Sequence, residues 1–191
     1  MGECHCVSRH AAEAAVPDSD ATVMKSAKKP LSSEKALERV QLLCSRTEQC
    51  TADIVRKLTG WGIGHDSVEK IVASLQRDRF LDDARFARAY CYDKFNFSGW
   101  GRRKIAQGLW AKRVSRELAM SAIDEIDEVE YRKMARFVIK SRVPLIADAL
   151  MTREGRNKLL RFAVGRGYEM KLAIEIIRSL AAGDDDDEGV D

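Results

Sequence analysis

Apolar residues recur in the same order in three parts of the chain. When residues 51–77 are moved forward by 51 positions and then by 105, without gaps, their apolar positions coincide with later ones. Ile54, for example, falls on Ile105 and on Leu159. This order predicts one structural unit present three times. Units that bury their faces against neighbours form elongated arrays, which suit long partners better than they suit catalysis.

The spacing of the apolar residues predicts helices. Residues 34–47 place apolar side chains three and four positions apart, and the ordered part shows neither sustained alternation nor an Asn-Gly or Asp-Gly turn. Thr51 is a candidate N-cap of a short helix. Asp66, with Glu69 three residues later, resembles a capping box, and Asp82 is a further candidate N-cap. About nine helices are expected.

The predicted fold class is therefore all-α, an elongated array of three tandem three-helix repeats. Pro144, the one proline between the ends, should kink or end a helix, and the residues that follow it lengthen the third repeat. The predicted domains are a flexible leader (1–30), repeat 1 (31–81), repeat 2 (82–127), repeat 3 (128–182) and an acidic disordered tail (183–191).

Two aromatic residues are predicted to face the core. Trp110 corresponds to Thr59 and Val164, next to core positions of the other repeats, and Phe137 is placed inward on the first helix of repeat 3. The acidic tail has two interpretations. It is either a solvated end or a mimic of a phosphate backbone that covers the basic face of the protein.

Charge is unevenly distributed along a chain of ordinary composition. The 191 residues are 45% hydrophobic and 33% charged, with a net charge of +3. From Lys94 to Arg116 there are seven basic residues and no acidic one, whereas Glu117 to Glu130 holds six acidic residues and no basic one. Such segregation permits contact with a polyanion or with a protein of mixed charge.

The sequence gives no sign of secretion or of membrane insertion. The first 30 residues lack an apolar signal segment, and no apolar run is long enough to span a bilayer. Five cysteines without a framework spacing favour a reducing, cytoplasmic setting, in which the helical cysteines serve as small core residues.

Catalytic motifs are missing from the sequence. There is no Walker loop, nucleophile elbow or His-Glu-x-x-His motif, and the glycines of Gly60-x-Gly62-x-Gly64 follow a helix, as a C-cap does. Cys4-His5-Cys6 with His10 could bind a soft metal ion, but a structural zinc site needs spaced ligand pairs within a fold. The chain is predicted to be no enzyme and to hold no cofactor or metal.

A basic stretch next to two tryptophans, Trp100 and Trp110, is the candidate binding site. Cations neutralise phosphates and flat rings stack on bases, so this pattern suits a macromolecular partner. The alternative is that the cations are simply solvated. The candidate partner-binding residues are Arg102, Arg103, Lys104, Lys112, Arg113 and Arg116.

The stretch from Asp78 to Tyr90, with Arg85-Phe86-Ala87 at its centre, resembles the signature of the RecX regulatory proteins. Residues 99–105, Gly-Trp-Gly-Arg-Arg-Lys-Ile, resemble the glycine-led basic helix of that family, although the family often has proline where this chain has Gly101. The resemblance covers residues 34–127 well and residues 128–181 more weakly.

The resemblance implies a modular helical protein that binds the RecA recombinase and modulates, mostly by inhibition, its filament on single-stranded DNA. It places Arg85 at the joint between repeats 1 and 2, with Asp82 or Asp83 as a neighbour and Phe86 in the same motif. The expected partner is the RecA filament, with single- or double-stranded DNA as a further partner, no membrane, and a monomeric chain. The alternative is a stand-alone DNA-binding protein of helix-turn-helix-like units.

Overall fold

The computed structural model describes residues 31–183, and this range is helical, with no strand among the described residues. The predicted all-α class and the tandem helical repeats are therefore confirmed, whereas the exact repeat boundaries stay predictions. The leader at 1–30, its Cys4-His5-Cys6 group and the acidic residues 184–191 lie outside the described residues. The helices of the described range are α1 (Ser33–Arg46), α2 (Thr51–Gly60), α3 (His65–Arg77), α4 (Asp83–Asn96), α5 (Arg102–Ala111), α6 (Arg116–Asp124), α7 (Glu128–Arg142), α8 (Arg153–Gly165) and α9 (Met170–Ala182).

Local capping explains where several helices begin. The Asp82 carboxylate accepts the backbone N–H groups of Ala84 and Arg85 at 2.9 and 3.1 Å, which confirms the predicted cap. Two other expectations were wrong. Thr51 is the first residue of α2, after Cys50, because its N–H finds an acceptor on the next unit. Asp66 lies inside the first turn of α3, where its negative charge interacts favourably with the helix dipole, but its side chain makes no capping hydrogen bond.

The apolar side chains form two cores for three sets of helices. Helices α1–α3 enclose their own core, which includes Val40, Leu58 and Leu75. Helices α4–α9 enclose a second, continuous core, and Cys50, fully buried at the start of α2, reaches into it. We call helices α1–α3 unit 1, helices α4–α6 unit 2 and helices α7–α9 unit 3. Units 2 and 3 thus share one apolar core, whereas unit 1 has a core of its own.

The joint between units 1 and 2 is mainly polar. The Arg85 guanidinium of α4 pairs with Glu48 at 2.6 Å, in the turn before α2. The Asp83 carboxylate accepts the Thr51 N–H at 2.8 Å, at the N-terminus of α2. These contacts fix the start of α2 against α4 and leave the apolar packing between the two units to Cys50 and its neighbours.

The joint between units 2 and 3 depends on close backbone approach. The Gly101 N–H donates to the Arg166 carbonyl at 2.8 Å, and the Arg103 N–H donates to the Gly167 carbonyl at 3.1 Å. A Cβ atom at position 101 would lie 2.4 Å from the carbonyl carbon and oxygen of Gly167, closer than packing allows. Only glycine fits there without movement of the α8–α9 turn.

Residues 143–152 cover the exposed end of the array. As predicted, α7 ends just before Pro144, which lies in a short 3₁₀ turn. Gly155 is the unit 3 counterpart of Gly101, and a Cβ atom there would lie 2.4 Å from the Asp148 carbonyl oxygen. Arg156, the counterpart of Arg102, donates to the Leu150 carbonyl at 2.7 Å. Residues 143–152 thus pack against Gly155 in unit 3 as the α8–α9 turn packs against Gly101 in unit 2. Such a segment acts as a capping element at the end of a repeat array.

Two residues predicted to be buried are exposed. Phe137 is 69% exposed, because α7 turns Tyr131, Ala135 and Val138 toward the core and position 137 away from it. Trp110 is 80% exposed, since Leu109 takes the core position of α5 and the next residue is rotated by about 100°. None of the described helices combines the length and apolar character that crossing a bilayer requires.

Candidate partner-binding surface

Arg102 lies at the joint between units 2 and 3 and is only 27% exposed in its side chain. Its Nη1 donates to Glu128 at 2.7 Å, its Nη2 donates to the Ile126 carbonyl at 3.0 Å, and its guanidinium lies 4.1 Å from the centre of the Tyr131 ring. Cations in the first turn of a helix oppose the helix dipole. The contacts with Glu128, Tyr131 and the Ile126 carbonyl compensate for this unfavourable position of the charge. Arg102 therefore holds units 2 and 3 together.

The Glu128–Arg102 pair should make this joint sensitive to acid. The hydrogen bond from Arg102 lowers the pKa of Glu128 below its ordinary value of 4.5. A lowered carboxyl pKa stabilises the folded protein above pH 4.5, and this stabilisation is lost as the pH falls through the folded pKa. We therefore expect the melting temperature to fall less steeply below pH 4.5 in Glu128→Gln than in the parent chain, measured by circular dichroism. Equal pH profiles would contradict the expectation.

Lys112 is engaged at the other joint. Its Nζ donates to the Asp53 carboxylate of α2 at 2.6 Å, and Asp53 also pairs with Arg56 at 2.9 Å. Burial raises the pKa of Asp53, but the hydrogen bond and charge of Lys112 outweigh it, so that the pKa lies below its usual value. Like Arg102, Lys112 is a joint residue and is not free to meet a partner.

Lys104 is half-buried above Trp100. Its ammonium lies 4.6 Å from the centre of the indole ring, and Lys94 approaches the same ring at 5.2 Å. Trp100 packs against the shared core of units 2 and 3. The aromatic ring is therefore covered by the protein's own cations, and Lys104 reaches the surface only in part.

The remaining three candidates, Arg103, Arg113 and Arg116, have exposed side chains. Those side chains form no hydrogen bond or ion pair with any residue in the described range. Arg113 has a φ of 58° in the turn after α5, a left-handed conformation that glycine adopts at the equivalent turns of the other units. A non-glycine residue in this left-handed conformation costs about 1 kcal/mol. At position 113 that residue is an arginine with an exposed guanidinium.

The second helix of each unit carries an exposed arginine, although not at the same position in all three. Arg56 of α2 and Arg161 of α8 are exposed at positions equivalent to Gln107, which lies between Arg103 and Trp110 on the exposed side of α5. Arg56 and Arg113 also line one groove of about 510 Å³ where α2 meets the α5–α6 turn. We call Arg56, Arg103, Arg113 and Arg161 the arginine ridge. Its members are not equivalent positions of the repeats, because Arg103 corresponds to Ala52 and Asn157, and Arg113 corresponds to Gly62 and Gly167.

The residues of the motif around Arg85 lie at the joint between units 1 and 2. Asp82 caps α4, Asp83 accepts the Thr51 N–H, and Phe86 is buried in the shared core. The ion-pair partner of Arg85 is Glu48, 37 residues earlier in the chain. Nothing in the sequence pattern indicated Glu48, because the pairing depends on how the two units pack.

No described residues assemble a recognisable catalytic or metal site. Groups of three or more His, Cys, Asp or Glu side chains able to hold a metal ion are absent from residues 31–183. His65 is exposed and contacts only Asp66 and Glu69, at 4.0 and 3.7 Å. The buried Cys91 thiol has its pKa raised to about 11 by burial, so it is a poor nucleophile at neutral pH.

Comparison with known proteins agrees with this architecture. A family model described as "RecX, second three-helix domain" matches residues 82–123. Curated proteins named regulatory protein RecX are similar to the chain: the one from Streptomyces lividans is 25% identical across 87% of this chain and 90% of its own length. The one from Cronobacter sakazakii is 32% identical across 56% of this chain and 62% of its own length.

One further curated protein and two solved structures are also similar to the chain. The protein from Finegoldia magna is 22% identical over 69% of this chain, and the match spans 63% of that relative's length, less than two thirds. A crystal structure of RecX from Lactobacillus salivarius superimposes with a TM-score of 0.70, at 17% identity, over 78% of this chain and 97% of its own. A second RecX crystal structure gives 0.69 at 20% identity, over 77% of this chain and 71% of its own.

Proposed function

We propose that this chain, a RecX family protein, binds the filament of the RecA recombinase and restrains its ATPase and strand-exchange activities in recombination and DNA repair. The curated relatives are named regulatory proteins. A binding role also fits a surface built from repeated helices. The chain would act by occupying a surface, and no catalytic step of its own is needed.

The arginine ridge is the observation that carries this proposal. A filament presents the same surface at regular intervals, and a repeat protein presents the same helix at regular intervals. Matching one repeated surface to another gives several weak contacts that act together, and their combined affinity exceeds that of any one contact. Basic residues facing a polymer of acidic protein surfaces or phosphates also speed the encounter by electrostatic attraction.

We infer that the elongated body lies in the groove of the filament and contacts neighbouring subunits. The fused units 2 and 3 would provide a rigid part, and unit 1, with its separate core, would adjust to the neighbouring subunit across a polar joint. A body in this position occupies space needed by partner DNA or by the mobile parts of the recombinase. Filament growth, ATP hydrolysis and strand exchange would all be hindered.

Charge reversal on the ridge should test the proposal without harming the fold. We expect the double variant Arg103→Glu with Arg113→Glu to bind RecA filaments at least about tenfold more weakly, because it removes two cations and adds two carboxylates at the contact. The measurement is co-sedimentation with preformed filaments, together with the recombinase ATPase rate. Arg102 is left unchanged, because its role at the joint would confuse loss of binding with loss of structure.

A matched control makes the same change of charge elsewhere. Lys70 on α3 and Arg178 on α9 are exposed on third helices, away from the ridge, so Lys70→Glu with Arg178→Glu should bind filaments nearly as well as the parent chain. Both double variants should melt within a few degrees of the parent. The proposal fails if the parent chain leaves the ATPase rate unchanged at equimolar dose, or if both double variants lose binding equally.

A stand-alone DNA-binding role is the second candidate, and the exposed Trp110 favours it. Salt separates the two roles. Binding through phosphates alone weakens by orders of magnitude between low and moderate salt. A filament regulator with a mixed interface should still act at a salt concentration where binding of the chain to free DNA is negligible.

A further inference from the structure

The three tryptophans of the described range differ in what covers their rings. The guanidinium of Arg39 lies 4.8 Å from the centre of the Trp61 ring, and two lysine ammonium groups approach Trp100. Trp110 has no cation or aromatic ring against it among the described residues and is 80% exposed. A single exposed ring is ordinary on a protein surface, so its neighbours decide whether it indicates a binding site.

The surroundings of Trp110 are cationic. Arg103 lies seven residues before it on the same exposed side of α5, and Arg113 follows it in the turn. Trp110, Ala111, Arg113 and Val114 line a shallow depression of about 490 Å³. Helix α5 contains no acidic residue, so no carboxylate of that helix competes for these arginines.

We propose that Trp110 stacks on an unpaired base of a single-stranded nucleic acid, while Arg113 and Arg103 contact the phosphates on either side. The flat indole ring matches the face of a base, and cations beside it match the backbone charge. A duplex does not offer this contact, because its bases are already stacked on each other. Tryptophan and arginine are also frequent in protein interfaces, so contact of the ring with a protein is an outcome of the test below.

This inference rests on the DNA-binding role proposed above as the second candidate and deepens it, since it specifies an unpaired strand as the ligand and a contact that needs no other protein. It also differs from simple phosphate binding, because the ring adds affinity without adding charge. That difference sets the experiment. Removing the ring should change the strength of binding but not its dependence on salt, whereas removing an arginine should change both.

The variant is Trp110→Leu in the full chain, and the probe is a fluorescently labelled oligo(dT) followed by anisotropy across a salt series. We expect binding to weaken about fivefold or more, as the loss of one stacked base predicts. The slope of log affinity against log salt should stay the same. Arg113→Ala should instead lower that slope by about one. Thermal melting should match the parent for both variants, because both side chains are exposed.

Two controls isolate the base and the position. An oligonucleotide of abasic sugar-phosphates keeps the charge and removes the bases, so the parent chain and Trp110→Leu should bind it equally. Phe137→Leu removes another exposed aromatic ring, from α7, and should leave oligo(dT) affinity unchanged.

Two results would overturn the proposal. The first is an unchanged oligo(dT) affinity in Trp110→Leu; weakened binding of RecA filaments by the same variant would then assign the ring to a protein contact. The second is an equal loss of affinity for the abasic strand. The recombinase-binding proposal is judged separately, by whether the parent chain changes the recombinase ATPase rate at a salt concentration where its binding to free DNA is negligible.

Discussion

Replacing Gly101 with alanine should lower the free energy of unfolding by about 3 kcal/mol, near the upper end of what overpacking costs. The added Cβ atom would meet the backbone of Gly167 and Tyr168 at 2.4–2.5 Å, and backbone atoms cannot rotate out of the way as a flexible side chain can. The N–H of residue 101 would also move away from the Arg166 carbonyl. Chemical denaturation followed by circular dichroism measures the change, which corresponds to about 6–12 °C in melting temperature.

Gly165→Ala is the matched control, since it makes the same substitution where no atom lies within 4 Å of the added methyl group. Alanine favours helix over glycine, so this variant should be as stable as the parent or slightly more stable. If the two variants unfold at the same denaturant concentration, the close approach of Gly101 to Gly167 does not hold units 2 and 3 together.

Replacing one core leucine of unit 1 with alanine should destabilise that unit and leave the stability of the other two unchanged. Leu58 and Leu109 occupy equivalent positions on α2 and α5, and both are fully buried, but they belong to different cores. Either Leu→Ala change should cost about 2–5 kcal/mol by leaving a cavity. Because the joint between units 1 and 2 is mainly polar, we expect the damage in Leu58→Ala to stay within α1–α3.

Hydrogen–deuterium exchange followed by mass spectrometry measures the local stability of each segment. In Leu58→Ala, amides of α1–α3 should exchange faster while those of α4–α9 keep their protection. In Leu109→Ala, exchange should quicken through both units 2 and 3, which share that core. Uniformly faster exchange over the whole chain in Leu58→Ala would show instead that all three units unfold as one.

The helical fold could be predicted from the sequence because its signal is local and repeated. Leu58 and Leu109 lie at the same point of the same pattern, and the spacing of three and four residues is set by the turn of the helix itself. The repeated pattern could not predict which of the units share a core. Cys50 contacts the core of the following unit, and no periodicity within one unit encodes that contact.

Within the candidate site, the sequence could not separate residues at the joints between units from exposed residues. Arg102 and Lys112 look like their neighbours in the sequence, yet each pairs with a carboxylate on another unit, 26 and 59 residues away in the chain. Their role depends on packing between units. Trp110 was predicted to face the core because its counterparts Thr59 and Val164 lie next to core positions of the other repeats. Its counterpart Thr59, a polar residue, was the one sequence signal for an exposed position.

The segment that covers Gly155 also decides how molecules of this protein relate to each other. Two ends of a repeat array that complement one another permit head-to-tail growth, and such growth has no natural stopping point. With its last face already occupied by residues 143–152, the chain is closed at that end. On the proposed recombinase filament, each bound molecule would therefore cover a stretch whose length is set within a single chain, and occupancy would rise with dose in steps of that length.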